Sequence, residues 1–289
     1  VPSEEPCPLC GAGAACEVAV VRRWTEPFRM ARCTGCSLLF MDPRPSDERL
    51  AAFYDEGFFA GEGEYAYVDE RTVEPQVRVR AAGRLARVER MLAARGVGSR
   101  RLVELGCAYG TFLDEARLRG WTVTGCDVSH DAVAWAREHR GLDVRTCDLA
   151  DAGLAPASAD LVTGSEVVEH LADPVRTARA MFEVLAPGGV ALFSTANEAS
   201  LARMLRGERW GYFLPGHVVI WSARTLTRLL TGAGFRDVRV TAGDERGLSN
   251  FLEFRRAGGP GSVSGWLARR VRLGGFTLGA GMVVEARKS

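Results

Sequence analysis

The chain of 289 residues has room for one or two domains at roughly 150 residues each, and its 47% hydrophobic and 25% charged residues are those of an ordinary globular protein. With 37 basic and 36 acidic residues the formal charge is +1, so no global field favours nucleic acid or an acidic membrane surface. Neither a charged-then-apolar leader nor an apolar run near the roughly 20 residues of a membrane span is visible, so a cytoplasmic protein without membrane contact is expected.

Residues 1–45 are rich in Cys, Gly and Pro and read as a small module that ends in Met41-Asp42-Pro43-Arg44-Pro45, a turn-like boundary. Four of its cysteines fall in two C-x2-C pairs, Cys7/Cys10 and Cys33/Cys36, separated by 22 residues. Two such knuckles give a closed tetrahedral thiolate site for a structural zinc, which stabilises a module too small to bury its own core. Unmetallated thiols and an iron–sulfur cluster are the other readings of the same cysteines. Cys16 is read as a spare apolar residue, and Cys107, Cys126 and Cys147 as small hydrophobes in or beside strand-like runs.

Residues 46–98 form an aromatic linker (Phe53, Tyr54, Phe58, Phe59, Tyr65, Tyr67) and a helical lid. The spacing of Val77, Leu85, Val88 and Leu92 predicts a helix from about Glu74 to Ala94. From residue 99 to the end, short apolar runs alternate with helical segments, the pattern of βαβ units. Strands are expected at 101–105, 121–126, 143–147, 159–164, 189–195, 235–241 and 280–287, with helices near 111–119, 130–139, 173–186 and 222–233. That is an α/β, doubly wound, seven-stranded sheet. Pro187-Gly188-Gly189 is expected to stop the 173–186 helix, and 257–265 to form a flexible loop.

The run Val103-Glu-Leu-Gly-Cys-Ala-Tyr-Gly110 turns an apolar strand through glycines into a helix, whose N-terminus offers free N–H groups. Asp127 follows 17 residues after Gly110 at the end of the next strand, where a carboxylate can accept ribose hydroxyls. Asp148 ends a third strand, where an adenine amino group would lie. Three acids at successive strand ends point to a ligand, since open α/β sheets bind at those ends. A dinucleotide-binding dehydrogenase and a purely structural role for the acids are the competing readings.

The order Glu-x-Gly-x-Ala-x-Gly, Asp, Asp resembles the class I S-adenosylmethionine-dependent methyltransferases, over about Arg101 to Thr241. The resemblance implies that Glu104, Gly106, Cys107, Ala108 and Gly110 serve the methionine part, that Asp127 holds the ribose, and that Asp148 and Leu149 frame the adenine. Val128 and Ser165 are counted with them. Ala108 departs from the usual middle glycine. The continuation Cys36-Ser-Leu-Leu-Phe-Met-Asp-Pro-Arg-Pro-Ser-Asp with Leu50-Ala-Ala-Phe-Tyr resembles the zinc-ribbon-bearing methyltransferases of bacterial sugar, polysaccharide and natural-product pathways. That likeness implies methyl transfer to a small-molecule acceptor, a sugar or secondary-metabolite hydroxyl, with carbon or nitrogen less favoured. Some ribosomal-RNA guanine methyltransferases also carry a short zinc module. An RNA acceptor is disfavoured because Glu4, Glu5, Glu17 and Glu26 lie among the ribbon arginines, and a non-catalytic interaction module is the third reading. The oligomeric state is not legible.

Two stretches are candidates for the acceptor side. Ser165-Glu166-Val167-Val168-Glu169-His170 follows the fourth strand, and Arg209-Trp210-Gly211-Tyr212-Phe213-Leu214-Pro215-Gly216-His217 lies within residues 197–221, read as a cap over the pocket. Trp210, Tyr212 and Phe213 sit among glycines and a proline rather than at a helical or strand period, so they are expected outside the core. His217 is the first candidate for the base that removes the acceptor proton, followed by His170 and Tyr212. The cysteine pairs give the first testable outcome. Elemental analysis should find about one zinc per chain, and Cys7→Ser with Cys33→Ser should abolish it; a metal-free protein would overturn the assignment.

Overall fold

The computed structural model describes residues 4–54, 58–59, 68–94, 96–242, 272–273, 276–277 and 281–289; Tyr65, Tyr67 and the 257–265 stretch lie outside them. Three strands come first, β1 (Ala15–Val21), β2 (Phe28–Cys33) and β3 (Leu39–Met41), then helix α1 (Asp47–Phe53), a 3-10 turn at Glu70–Val73 and helix α2 (Glu74–Ala93). The alternating part runs β4 (Arg101–Leu105), α3 (Thr111–Leu118), β5 (Thr122–Asp127), α4 (His130–Arg140), β6 (Val144–Thr146), β7 (Ala159–Ser165), α5 (Pro174–Val184) and β8 (Leu185–Ala196). It continues with α6 (Leu201–Arg206), β9 (Val219–Ile220), α7 (Ala223–Gly232), β10 (Arg236–Ala242), a pair β11 (Arg272–Leu273) and β12 (Phe276–Thr277), and β13 (Gly281–Arg287).

The elements follow from local chemistry. Helix α2 starts with a proline in its first turn, where the missing N–H costs nothing, and buries Ala81, Leu85, Val88 and Leu92 on one face. Helix α7 opens on a reciprocal Ser222/Thr225 capping box. The main sheet has the order β10-β13-β8-β7-β4-β5-β6, parallel except for β13, which runs antiparallel between β8 and β10. Helices α2, α3 and α4 pack on one face through Leu85, Val88, Leu113, Ala116, Val133 and Ala136. Helices α5 and α7 pack on the other through Ala178, Met181, Leu226 and Leu229. Pro187-Gly188-Gly189 does not end a helix. Helix α5 stops at Val184, Leu185 is already extended, and the turn-forming residues are absorbed as a slip in the β7–β8 register between Ala159 and Leu161.

The N-terminal strands β1-β2-β3 form an antiparallel sheet that β9 extends, pairing Leu39 with Ile220 and Phe40 with Val219. The ribbon therefore shares its sheet with the residues expected to cap the pocket. Alternation along β3 sends its side chains both ways: Phe40 joins Cys33, Cys36 and Leu38 in the main core, while Leu39 and Met41 join Ala19, Val21 and Met30 against Trp210, Tyr212 and Phe213. Polar ties reinforce the seam. Arg32 grips the Glu198 carboxylate with two bonds of 2.8 Å, Arg23 donates to the carbonyls of Arg209, Gly211 and Phe213, and the Trp24 indole donates to Phe213 at 2.7 Å.

Trp210 and Phe213 are fully buried and Tyr212 nearly so, which corrects the expectation that they lie outside the core. Their lack of period reflects a loop buried by another part of the chain. No helix among the described residues is long and apolar enough to cross a membrane. If this cluster is core, Phe213→Ala should cost about 3–5 kcal/mol in denaturant unfolding, and a loss below about 1 kcal/mol would show that it carries no packing load.

Candidate active site

A cavity of about 870 Å³ opens at the carboxyl ends of β4 to β7, near the upper end of the size of small-molecule sites. Of the residues expected at the cofactor, Glu104, Gly106, Cys107, Ala108, Asp127, Val128, Asp148, Leu149 and Ser165 line it. Gly110 is not among the lining residues. It caps α3 in the left-handed region at φ 72°, and a Cβ there would meet Leu142 Cδ1 at 2.5 Å, so its role is close packing under the loop. Gly106 is also left-handed, at φ 62°, and a Cβ on it would lie 2.9 Å from Val167 Cγ2. Ala108 takes the left-handed conformation too, at φ 45°, despite its side chain.

The three acids differ in their partners. Asp127 accepts the Ala108 N–H on one oxygen at 2.8 Å and the Ser129 N–H on the other at 2.9 Å, which ties the β4–α3 loop to the start of α4. Burial pushes its pKa up, opposed by those N–H groups. Asp148 accepts from Ala150 N at 2.8 Å and from the Thr177 hydroxyl at 3.1 Å. Glu104 is buried, and its Oε2 has no hydrogen-bond partner among the described residues. Burial pushes its carboxyl well above the usual range, with Arg84 opposing. An unmet buried acceptor costs about 1–3 kcal/mol, so this oxygen is fitted to take a donor that the described residues do not supply. Val128 is 53% exposed although apolar, as a residue beneath a ligand ring would be.

Two groups here escaped sequence reasoning. Arg84, from α2, donates to the hydroxyls of Ser165 and Thr163 and to the carbonyls of Gly164 and Leu192. Glu70 lines the cavity, and burial pushes it up to about 7 against Thr111 and Arg140. Both come from the region before β4. Their positions depend on how α2 crosses the sheet, which no local motif reports.

Tyr54, Phe58 and Phe59 form an aromatic wall beside Leu50, with Phe58 edge-on to Tyr54 at 5.2 Å and to Phe59 at 5.1 Å, and Phe59 packs with Ala108 and Tyr109 of the glycine turn. His170 lines the cavity, and its Nδ1 meets the Gly216 carbonyl at 2.9 Å and the Tyr54 hydroxyl. Burial lowers its pKa to about 4, although the carbonyls of Gly216 and Glu166 favour the protonated ring. His217 stands edge-on behind it at 4.6 Å, with Nδ1 on the Tyr212 carbonyl at 2.8 Å. Neither His217 nor Tyr212 is among the lining residues. Their expected place against the acceptor is therefore corrected, because the ribbon sheet draws the 210–220 segment into the core. Glu169 completes the layer. It is fully buried, accepts from Thr195 at 2.8 Å, and burial pushes it up to about 7.

In the ribbon, the thiols of Cys7, Cys10, Cys33 and Cys36 lie within 4.8 Å of one another. The Cys7–Cys36 and Cys10–Cys33 sulfur distances are each 3.5 Å, close to the ~3.8 Å edge of a tetrahedron with ~2.3 Å metal–sulfur bonds. The N–H groups of Gly35 and Cys36 point at Cys33 Sγ from 3.3 and 3.4 Å. Burial opposes ionisation of Cys33, but these N–H groups and the neighbouring thiols bring it down to about 7.

Residues 74–240, more than half of the chain, match the family described as "Methyltransferase domain". The ubiquinone biosynthesis O-methyltransferase of Pseudomonas putida is 32% identical over 115 residues, 38% of this chain and 50% of that protein. Its counterpart in Pseudomonas fluorescens is 34% identical over 108 residues, 35% of this chain and 47% of its own. The chain spans about half the length of these curated relatives. A SAM-dependent methyltransferase from Archaeoglobus fulgidus superposes over 74% of this chain and 94% of its own with a TM-score of 0.52 at 19% identity, a likeness of fold. With the sheet order, the acids at the strand ends and the family match in agreement, this chain belongs to the S-adenosylmethionine-dependent methyltransferases.

Proposed function

We propose that the chain methylates a hydroxyl of a small secondary-metabolite-like molecule, with His170 taking the hydroxyl proton. The observation that carries this reading is that one cavity gathers the strand-end acids, an aromatic wall and His170. Within that cavity, Glu104 fits the methionine ammonium because its Oε2 lacks a donor among the described residues, Arg84 lies where it can balance the carboxylate, and Asp127 and Asp148 face the ribose and adenine. Bound there, S-adenosylmethionine supplies a methyl group already activated by its sulfonium.

The aromatic wall favours an acceptor with an apolar body over a bare sugar, which would demand more polar partners than Tyr54, Phe58 and Phe59 offer. The name of the Pseudomonas relatives supports oxygen as the methylated atom. His170 is neutral at rest, and the carbonyls of Gly216 and Glu166 are in place to receive the ring N–H groups once a proton arrives. The Tyr54 hydroxyl, bonded to His170, orients the ring. His217, held by the Tyr212 carbonyl, buttresses it from behind.

A zinc held by Cys7, Cys10, Cys33 and Cys36 would close the ribbon as a structural unit. The RNA reading loses support from the same geometry. Arg23, Arg29, Arg32 and Arg44 all bond within the chain, to Phe213, Asp42, Glu198 and Ala172 among others, rather than forming an unpartnered basic face.

Two measurements test these assignments. Asp127→Ala should weaken S-adenosylmethionine binding by about 1.5–3 kcal/mol by calorimetry, and an unchanged dissociation constant would place the ribose elsewhere. A panel of phenolic and other hydroxylated acceptors should yield S-adenosylhomocysteine. His170→Ala should slow single-turnover transfer by roughly 10²–10⁴-fold without altering cofactor affinity. Because the folded-state pKa is depressed to about 4, the ring stays deprotonated through neutral pH. The wild-type rate should hold steady from about pH 8 to pH 5 and fall only below that. An inflection near the ordinary value of about 6.5 would assign the proton to another group.

A further inference from the structure

Arg80 is a cation of the cavity that the cofactor reading leaves unused. Arg80 lies on α2 one turn before Arg84, on the same face, and lines the cavity. Its Nη1 is sealed from solvent and has no hydrogen-bond partner among the described residues. A guanidinium donor turned away from water without an acceptor is costly. The arginines that act on the buried cofactor acids are others: Arg84 on Glu104 and Arg140 on Glu70. A planar guanidinium fork matches a carboxylate or phosphate oxygen pair, and Tyr54 and Phe58 line the same cavity and give it an apolar, aromatic surface.

We propose that Arg80 receives an oxyanion of the acceptor, so that the molecule methylated here is an aromatic compound bearing a carboxylate or phosphate as well as its hydroxyl. This deepens the small-molecule reading above and rests on it. The anion docks on α2, and the ring lies along the aromatic wall. Arg80 fixes the register in which the hydroxyl meets His170, and Arg84 is left to the methionine end.

Calorimetry on the full chain saturated with S-adenosylhomocysteine separates the two readings, using 2-naphthoate, 2-naphthyl phosphate and the neutral 2-naphthamide as probes. At least one anionic probe should bind about tenfold or more tighter than the amide, as hydrogen bonds to a charged group imply. The better of the two tells carboxylate from phosphate. Arg80→Gln should erase that preference while the S-adenosylhomocysteine dissociation constant stays within about twofold, and Arg80→Lys should restore part of it. Equal binding of anion and amide, no binding of any probe, or an Arg80→Gln variant that keeps the preference would each overturn the proposal with the methyltransferase reading intact. A large loss of S-adenosylhomocysteine affinity in Arg80→Gln would instead move Arg80 to the methionine carboxylate. Failure of the wild-type chain to bind S-adenosylhomocysteine would bring down both readings.

Discussion

The site depends on one topological constraint, the reversal of strand order at β4. From β4 the chain winds outward through β5 and β6 with α3 and α4 on one face, then returns to place β7 on the other side of β4 and β8 beyond it, with α5 on the opposite face. The two windings part above the carboxyl ends of β4 and β7, and no helix can fill the crevice between them. Everything that defines the cofactor half stands at that crevice. The Asp127 carboxylate then pins its rim. By holding Ala108 N and Ser129 N on separate oxygens it couples the first two loops, so the ribose position and the glycine turn cannot shift independently.

The second structural dependence runs through β9. Two residues, Val219 and Ile220, belong in sequence to the methyltransferase domain and in space to the ribbon sheet. Their pairing with β3 fixes the segment that supplies the Gly216 carbonyl to His170 and the Tyr212 carbonyl to His217. The same β9 residue Val219 donates its N–H to the Glu169 carbonyl at 3.1 Å, next to His170 in the chain. The ribbon thus acts as a buttress of the acceptor wall, and its cysteine cluster shares a core with Val168, Val218 and Trp221. A module too small for its own core gains one by merging with the domain it supports.

What could be read from the residues alone follows the range of the interactions involved. The βα alternation, the acids at the strand ends and the α2 face all depend on neighbours a few positions apart, and they stand where spacing places them. The four cysteines converge as their motif implies. Trp210, Tyr212 and Phe213 were misplaced for a long-range reason: a loop with glycine and proline looks exposed until a strand nearly 200 residues earlier covers it. Arg80, Arg84 and Glu70 were invisible for a related one. On an isolated α2 and the 3-10 turn before it they are ordinary polar positions, and only the crossing over the strand ends turns them into the cavity.

Burial sets the chemistry of the site in a consistent direction. It raises the carboxyl groups of Glu104, Glu70 and Glu169 and lowers the rings of His170 and His217, so each group is pushed toward its neutral form. Arg84 is held among them by its hydroxyl and carbonyl acceptors. A neutral His170 can accept a proton without first losing one to water, and the carbonyls that would bind the protonated ring are rigid parts of the β7 loop and the β9 approach. The same burial links this site to folding. The His170 pKa is about 4 when folded and near the ordinary value of about 6.5 when unfolded. Below that higher value the unfolded chain binds more protons, so the stability contributed by the neutral ring is complete above it and declines as pH falls toward 4. Acid therefore lowers stability from about 6.5 downward as the unfolded ring takes up its proton, while the base itself is lost only as pH nears 4, and both effects follow from one desolvated ring.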